Sequence, residues 1–316
     1  MELTEYNYKE YIKKHGFKQF CEVYDPQSLT SFDFINIGEN EIKLIIESQK
    51  FQSLASLNLS GNLIGDKCIE LLTKANIFQS LIYLDLSGNN IGDKGAKFIA
   101  EIQFRSLESL NLSDNRIKEV SLITKSNWIR LLKELFLDNN NLKGECIKSI
   151  TELLAKTHKF QSLTNLSLSY NHITAECAQL LAESLKVNKY LISLDLHMNN
   201  IHDEGVKYIA ESLKFNKHLE NLNLYYNHAN YDLIELFAKL LKSNKSLINL
   251  NLFHNYYNYK NHILVDELLK NNKINKERIV KERAEEKIYF AIIIHGISWG
   301  LEFLEIFDTF AGYEYL

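Results

Sequence analysis

Residues 191–213 read LISLDLHMNNIHDEGVKYIAESL, and this one stretch contains a complete structural unit. Leu191, Leu194 and Leu196 have the spacing of a short strand whose apolar residues face a core. Asn199 follows where the chain must leave the strand, and its side-chain amide can bond the backbone groups exposed by the bend. Ile201 then re-enters the core. Gly205, Ile209, Ala210 and Leu213 recur at helical spacing, with Asp203, Glu204, Lys207, Glu211 and Lys214 on the opposite face. One strand and one amphipathic helix leave an apolar face open, so such a unit is stable only when stacked on others like it.

The chain supplies those others. Leu-x-x-Leu-x-Leu-x-x-Asn occurs eight times, opening at Leu54, Leu81, Leu107, Leu132, Leu163, Leu191, Leu219 and Leu247. The matching asparagines are Asn62, Asn89, Asn115, Asn140, Asn171, Asn199, Asn227 and Asn255. Successive openings are 27, 26, 25, 31, 28, 28 and 28 residues apart, a fixed period that marks a solenoid. A degenerate ninth unit precedes them, with Leu29, Phe32 and Phe34 at the strand positions and Ile37 where the asparagine would be. The aromatic residues Tyr6, Tyr8, Tyr11, Phe17 and Phe20 before it are expected to seal the open end of the core. In the unit 107–131 the second half, Val120 to Ile129, has a poor helical stripe and is expected to be irregular.

A period near 28, with helices ending in LAESLKVNK (181–189) and IAESLKFNK (209–217), resembles the ribonuclease-inhibitor-like subclass of leucine-rich repeats. The resemblance covers residues 29–272. It implies an α/β horseshoe solenoid, with a parallel sheet on the concave face and helices on the convex face. Residues 1–28 would form an N-terminal cap and 273–316 a C-terminal helical cap. It also implies a cytoplasmic, non-enzymatic scaffold that binds other proteins. The pattern specifies fold far more tightly than function.

Composition narrows the partners. A net charge of −4 is too mild to call for a nucleic-acid or anionic-membrane partner. The N-terminal MELTEYNYKEYIKKHGF lacks the continuous apolar core of a secretory signal. Cys68, Cys146 and Cys177 each lie fourteen residues after their opening leucine, the slot that holds Gly95 and Gly205 in other units. They therefore read as small buried residues rather than metal ligands or disulfide partners. Cys21 stands alone. The ten histidines show no zinc spacing, His172 and His228 read as solvated loop residues, and no phosphate loop or nucleophile elbow is present. No cofactor or metal is expected.

Side chains alternate along a strand, so the positions two, four, six and seven residues after each opening leucine should face outward from the sheet. Across nine units these hold no Lys or Arg, but they include Asp33, Asp85, Asp114, Glu134, Asp138 and Asp195. A face without cations cannot neutralise phosphates and favours a protein with a basic patch. Along the solenoid the same columns change from Ser, Gly, Asn and Asp to Tyr170, His197, Met198, Tyr225, Tyr226, Phe253 and His254. With Asp195, these seven residues are the candidate partner-binding site, about 15 Å across at the usual strand spacing. Two readings of Tyr225, Tyr226 and Phe253 stay open: rings presented to a partner, or rings covered by the C-terminal cap. For Tyr256, Tyr257 and Tyr259 capping is favoured.

The charged segment 273–287 runs into IYFAIIIHGISWGLEFLEIF (288–307), whose apolar run is too short and interrupted for a membrane span. A cap on the last repeat is expected there, with peripheral membrane contact as the other reading. Three further functional classes were weighed against protein binding. A GTPase-activating regulator resembling the Ran GTPase-activating protein would characteristically carry a strongly acidic tail, which is absent here, and only Arg116 offers an arginine near the strand ends. Ribonuclease inhibition fits a more acidic, cysteine-rich chain. A translocated bacterial effector mimicking host repeats, delivered into a host cell, is permitted by the proline-poor, Asn-rich composition.

Overall fold

The computed structural model describes residues 8–24, 31–34, 36–74, 78–155, 162–230, 232–255 and 262–295. Two helices open the chain, α1 (Tyr8–His15) and α2 (Phe17–Val23). Nine strand–helix units follow: β1 (Ser31–Asp33) with α3 (Glu39–Ser48), β2 (Ser56–Asn58) with α4 (Gly65–Lys74), and β3 (Tyr83–Asp85) with α5 (Asp93–Glu101). Next come β4 (Ser109–Asn111) with α6 (Ser121–Lys125), β5 (Glu134–Phe136) with α7 (Gly144–Ala155), and β6 (Asn165–Ser167) with α8 (Ala175–Val187). The last are β7 (Ser193–Asp195) with α9 (His202–Ser212), β8 (Asn221–Asn223) with α10 (Asp232–Leu241), and β9 (Asn249–Asn251) with α11 (His262–His295). The strands form one parallel sheet in the order β1 to β9, an α/β solenoid. Pairing aligns the central apolar residue of each strand, from Phe32 and Leu57 through Leu194, Leu222 and Leu250. That register keeps the core column continuous, since a one-residue slip would turn it outward.

The asparagine at the end of each strand ties neighbouring units together. Asn199 Nδ2 donates to the carbonyls of Leu196 (3.0 Å) and His197 (3.3 Å) in its own unit and Leu168 (3.1 Å) in the preceding one. Its Oδ1 accepts the amides of Asn171 and Ile173, each at 3.1 Å. One side chain thus satisfies five backbone groups at a bend where the sheet ladder cannot. A second, parallel ladder runs where helices turn back toward strands. Asn216 Nδ2 donates to Leu185 O (2.8 Å) and Asn188 O (3.0 Å), and Asn244 repeats this to Leu213 O (2.8 Å) and Asn216 O (3.1 Å). On the opposite edge, Asp66 Oδ1 accepts the amides of Gly92 (2.7 Å) and Gly95 (3.0 Å), so one unit's acid caps the next unit's helix.

The small-residue slot is real and sterically tight. A Cβ on Gly205 would lie 2.5 Å from Ile201 Cγ2 and 3.0 Å from Ala175 Cα. Cys68, Cys146 and Cys177 occupy the same slot in other units as buried free thiols, and Cys21 is also buried and free. Burial raises the thiols of Cys68 and Cys146 above the ordinary range and pushes Cys21 up to about 12. The unit 107–131 is irregular: α6 has five residues and a 3-10 turn at Trp128–Leu131 completes its outer side.

At the first strand, Tyr8, Phe17, Phe20 and Tyr24 are buried with Phe32, Phe34 and Phe51. Tyr24 and Phe51 stack at 4.7 Å, and Tyr8 meets Phe32 edge-on at 5.1 Å. Tyr8 Oη donates to Asp33 O (2.9 Å) and accepts the amide of Asp33 (2.8 Å), satisfying β1 on its unpaired side. Tyr6 and Leu29 lie outside the described residues, as do Ile35, Tyr256, Tyr257 and Tyr259.

The chain divides into two compact units, Met1–Leu269 and Lys270–Leu316. In the first, Val265 and Leu269 of α11 are buried. In the second, α11 continues without a break through residue 273, and Ile274, Ile279 and Val280 are exposed. Among the described residues, no helix is long and apolar enough to cross a membrane.

Candidate functional site

Each strand has only three residues, so the positions six and seven after the opening leucine lie beyond it. Inter-unit hydrogen bonds nevertheless continue there. The amide of Tyr170 donates to His197 O (3.0 Å), Met198 to Tyr225 O (2.8 Å) and Tyr226 to Phe253 O (3.0 Å). Making this bond while turning the chain out of the sheet puts the seventh position in the left-handed conformation in every unit. It holds Asn36 (φ 59°), Gly61 (67°), Gly88 (64°), Asp114 (55°), Asn139 (45°), Tyr170 (49°), Met198 (53°), Tyr226 (53°) and His254 (53°).

The first five units fill that position with Gly, Asn or Asp, the residues that tolerate positive φ. Units six to eight fill it with Tyr170, Met198 and Tyr226, at a cost of about 1–2 kcal/mol each. Backbone geometry does not call for bulk here, and the earlier units show what the fold prefers. The large side chains are therefore retained against local strain, which tracks function more often than packing.

Those side chains form one surface. Tyr170 meets His197 edge-on at 5.2 Å, and His197 lies 6.3 Å from Tyr225. Tyr225 contacts His254 at 5.0 Å and Tyr226 at 6.2 Å. Four adjacent units, β6 to β9, thus contribute to a continuous ladder of rings. Tyr170 is 48% exposed, Tyr226 41% and Phe253 46%, while Tyr225, His197 and Met198 are half-buried between them. His228, read as a solvated loop residue, in fact joins the ladder's edge: it is 5.3 Å from Tyr226 and stacks on His202 at 5.6 Å.

Asp195 holds the ladder in place. Its Oδ1 accepts the amide of His197 (2.9 Å) and bonds the ring Nδ1 (2.7 Å), and its Oδ2 accepts from Asn223 Nδ2 (3.0 Å). The amide bond is a side-chain turn that recurs along the fourth-position column, from Asn58 to Ser60 through Asn223 to Tyr225 (2.8 and 3.1 Å). Where Phe136 and Ser167 interrupt the column, Asp138 of the neighbouring unit bonds the amide of Ser169 instead (2.8 Å).

The other inner-face carboxylates also bond within the sheet. Asp85 accepts from Ser87 (2.7 Å), Tyr83 (3.1 Å) and Asn111 (3.0 Å), and Glu134 accepts from Ser109 (2.9 Å) and Asn165 (3.1 Å). Asp114 accepts from Asn139 (2.6 Å). Burial, with Asp85 beside it, pushes the Tyr83 hydroxyl up to about 12. Asp33 is paired with Lys9, so α1 brings a cation to the first unit that the strand columns lack. The acidic column is thus a structural lattice that keeps its negative charge. Among the described residues, no group of three or more His, Cys, Asp or Glu side chains could hold a metal ion.

A model described as a leucine-rich repeat matches residues 79–100, 105–122, 161–182 and 187–210, each spanning a strand and its bend. Together with nine parallel strands in sequential order, that decides the family. The chain is a leucine-rich-repeat protein. Among solved structures, this leucine-rich-repeat protein is similar to leiomodin-1 actin-binding site 2, at 24% identity and TM-score 0.47 over 53% of this chain and 95% of that one. It is similar to the tropomodulin C-terminal domain of Caenorhabditis elegans, at 18% and 0.43 over 50% and 95%. It is also similar to internalin C2 from Listeria monocytogenes, at 20% and 0.49 over 74% and 83%. Comparison with curated proteins gives no match.

Proposed function

We propose that this leucine-rich-repeat protein is a non-enzymatic interaction module of the ribonuclease-inhibitor-like subclass. It binds a partner protein on the sheet face of units six to nine. The observation that supports this reading is the substitution of Tyr170, Met198 and Tyr226 for Gly, Asn or Asp at left-handed positions. Exposed tyrosines on a rigid scaffold provide large contact area at little entropic cost, as interface anchors do.

Asp195, Asp138 and Glu134 beside the ladder give the face a negative potential. Lysines and arginines are absent from the strand columns of these units, so a partner with basic groups is favoured for encounter. Arginine side chains would also find the ring faces of Tyr170 and Tyr226 accessible.

The test is affinity capture from lysate with the native chain and with a Tyr170→Asn, Met198→Asn, Tyr226→Asn variant. A partner captured by the native chain, lost from the variant and weakened by salt supports the reading. Equal capture by both places the interaction elsewhere.

A further inference from the structure

The helix-to-strand turns of the last units carry a repeated tetrapeptide, Lys-x-Asn-Lys. It occurs as Lys186–Lys189, Lys214–Lys217, Lys242–Lys245 and Lys270–Lys273, each 28 residues after the last. In the first three copies the asparagine is buried: Asn188, Asn216 and Asn244 are 3%, 1% and 0% exposed. Each bonds the two amides that follow, as Asn216 does with His218 (2.9 Å) and Leu219 (2.8 Å). This pinning holds the two flanking lysines and the intervening residue outward in the same posture in each unit. Successive turns are separated by between about 5 Å, the strand spacing, and about 10 Å, the helix spacing.

The first lysine of each copy has a structural explanation, since cations are favoured at helix C-termini. The second does not, because Lys189, Lys217 and Lys245 lie beyond the last turn of their helices. Acidic compensation also fades along the series. Lys186 pairs with Glu183 (2.6 Å) and Lys214 with Glu211 (3.4 Å), but the next unit has Lys239 at that place. Among the described residues, Lys189, Lys217, Lys239 and Lys242 make no ion pair. Between the lysines project apolar side chains, Phe215 at 64% exposed and Val187 at 48%. Lys186 Nζ lies 5.9 Å from the Phe215 ring. A whole-chain charge of −4 conceals this local basic edge.

We propose that this edge docks on an anionic phospholipid surface, with the lysines against headgroup phosphates and Phe215 and Val187 dipping toward the acyl boundary. Lysines act as flexible point charges suited to a fluid array of phosphates, and apolar side chains at their centre fit a bilayer better than a nucleic-acid backbone. Such docking would leave the sheet face free for a protein partner.

The experiment is flotation of the full chain with phosphatidylcholine vesicles, with and without 30% phosphatidylserine. The native chain is expected to float only with the anionic vesicles and to be released by salt. Lys189→Ala, Lys217→Ala, Lys245→Ala is expected to lower partitioning about a hundredfold, at roughly tenfold or less per lysine. Phe215→Ser is expected to lower it about tenfold with all lysines present. All substituted side chains are exposed, and an unchanged urea midpoint confirms folding. Equal flotation of native and triple-variant chains overturns the proposal by moving membrane contact to another segment. Failure to float, with lysine-dependent binding of a fluorescent oligonucleotide instead, overturns it by assigning the edge to nucleic acid.

Discussion

Replacing Tyr170, Met198 and Tyr226 together by asparagine separates a binding surface from a structural one. Each replacement relieves a left-handed strain of about 1 kcal/mol, giving about 3 kcal/mol in favour of the variant. Against this stand the lost ring contacts of Tyr170 with His197 (5.2 Å) and of Tyr226 with Tyr225 and His228 (6.2 and 5.3 Å), at about 0.5–1.5 kcal/mol each. Partial burial of three half-covered side chains adds about 1 kcal/mol apiece. The sum leaves the variant within about 3 kcal/mol of the native chain, less stable if at all. Tyr24→Asn, by contrast, removes a ring that is 1% exposed and stacked on Phe51 at 4.7 Å, and it should cost about 3–5 kcal/mol alone. Urea unfolding followed by circular dichroism, with slopes compared to confirm equal surface exposure, measures both. A triple variant that loses more than about 5 kcal/mol would show that these rings hold the last units together, and the strain argument would be wrong.

Three further outcomes follow from the fold. Asn199→Ala strips five backbone groups of their bonds at a buried bend and should cost about 3 kcal/mol or more in urea unfolding. Gly205→Leu forces side-chain atoms past Ile201 Cγ2 and Ala175 Cα and should destabilise by at least about 2 kcal/mol, whereas Cys177→Ala in the equivalent slot should cost less than about 1.5 kcal/mol. The Cys21 thiol, pushed up to about 12 by burial, is almost wholly protonated at pH 8, so it should resist iodoacetamide in the native chain and react in urea; native-state alkylation mapped to Cys21 by mass spectrometry would contradict the buried placement.

The repeats were legible because burial imposes a period. The leucines from Leu54 to Leu247 had to recur at core positions, and the asparagines had to meet the same unsatisfied amides in each unit. The cysteine slot was legible for the same reason, with Gly95 and Gly205 exposing its size limit. The left-handed seventh position was not, because it arises from where inter-unit hydrogen bonds end rather than from any periodic side-chain requirement. Gly61, Gly88, Asn36 and Asn139 at that column were the available signal. The second asparagine ladder through Asn188, Asn216 and Asn244 was visible as a 28-residue recurrence, but the repeat phase had been read from leucines alone. The pairing of Lys9 with Asp33 depends on how α1 packs on β1, which no local pattern encodes.

The most direct measurement is hydroxyl-radical footprinting of the native chain, alone and saturated with the partner recovered by affinity capture. Tyr170, Met198 and Tyr226 present oxidisable groups on the sheet face, and Tyr208 on α9 serves as an internal control. The account predicts that oxidation of the three ladder residues falls several-fold on binding while Tyr208 is unchanged. Protection of Tyr208 with no change at the ladder would contradict it and would place the interface on the helices.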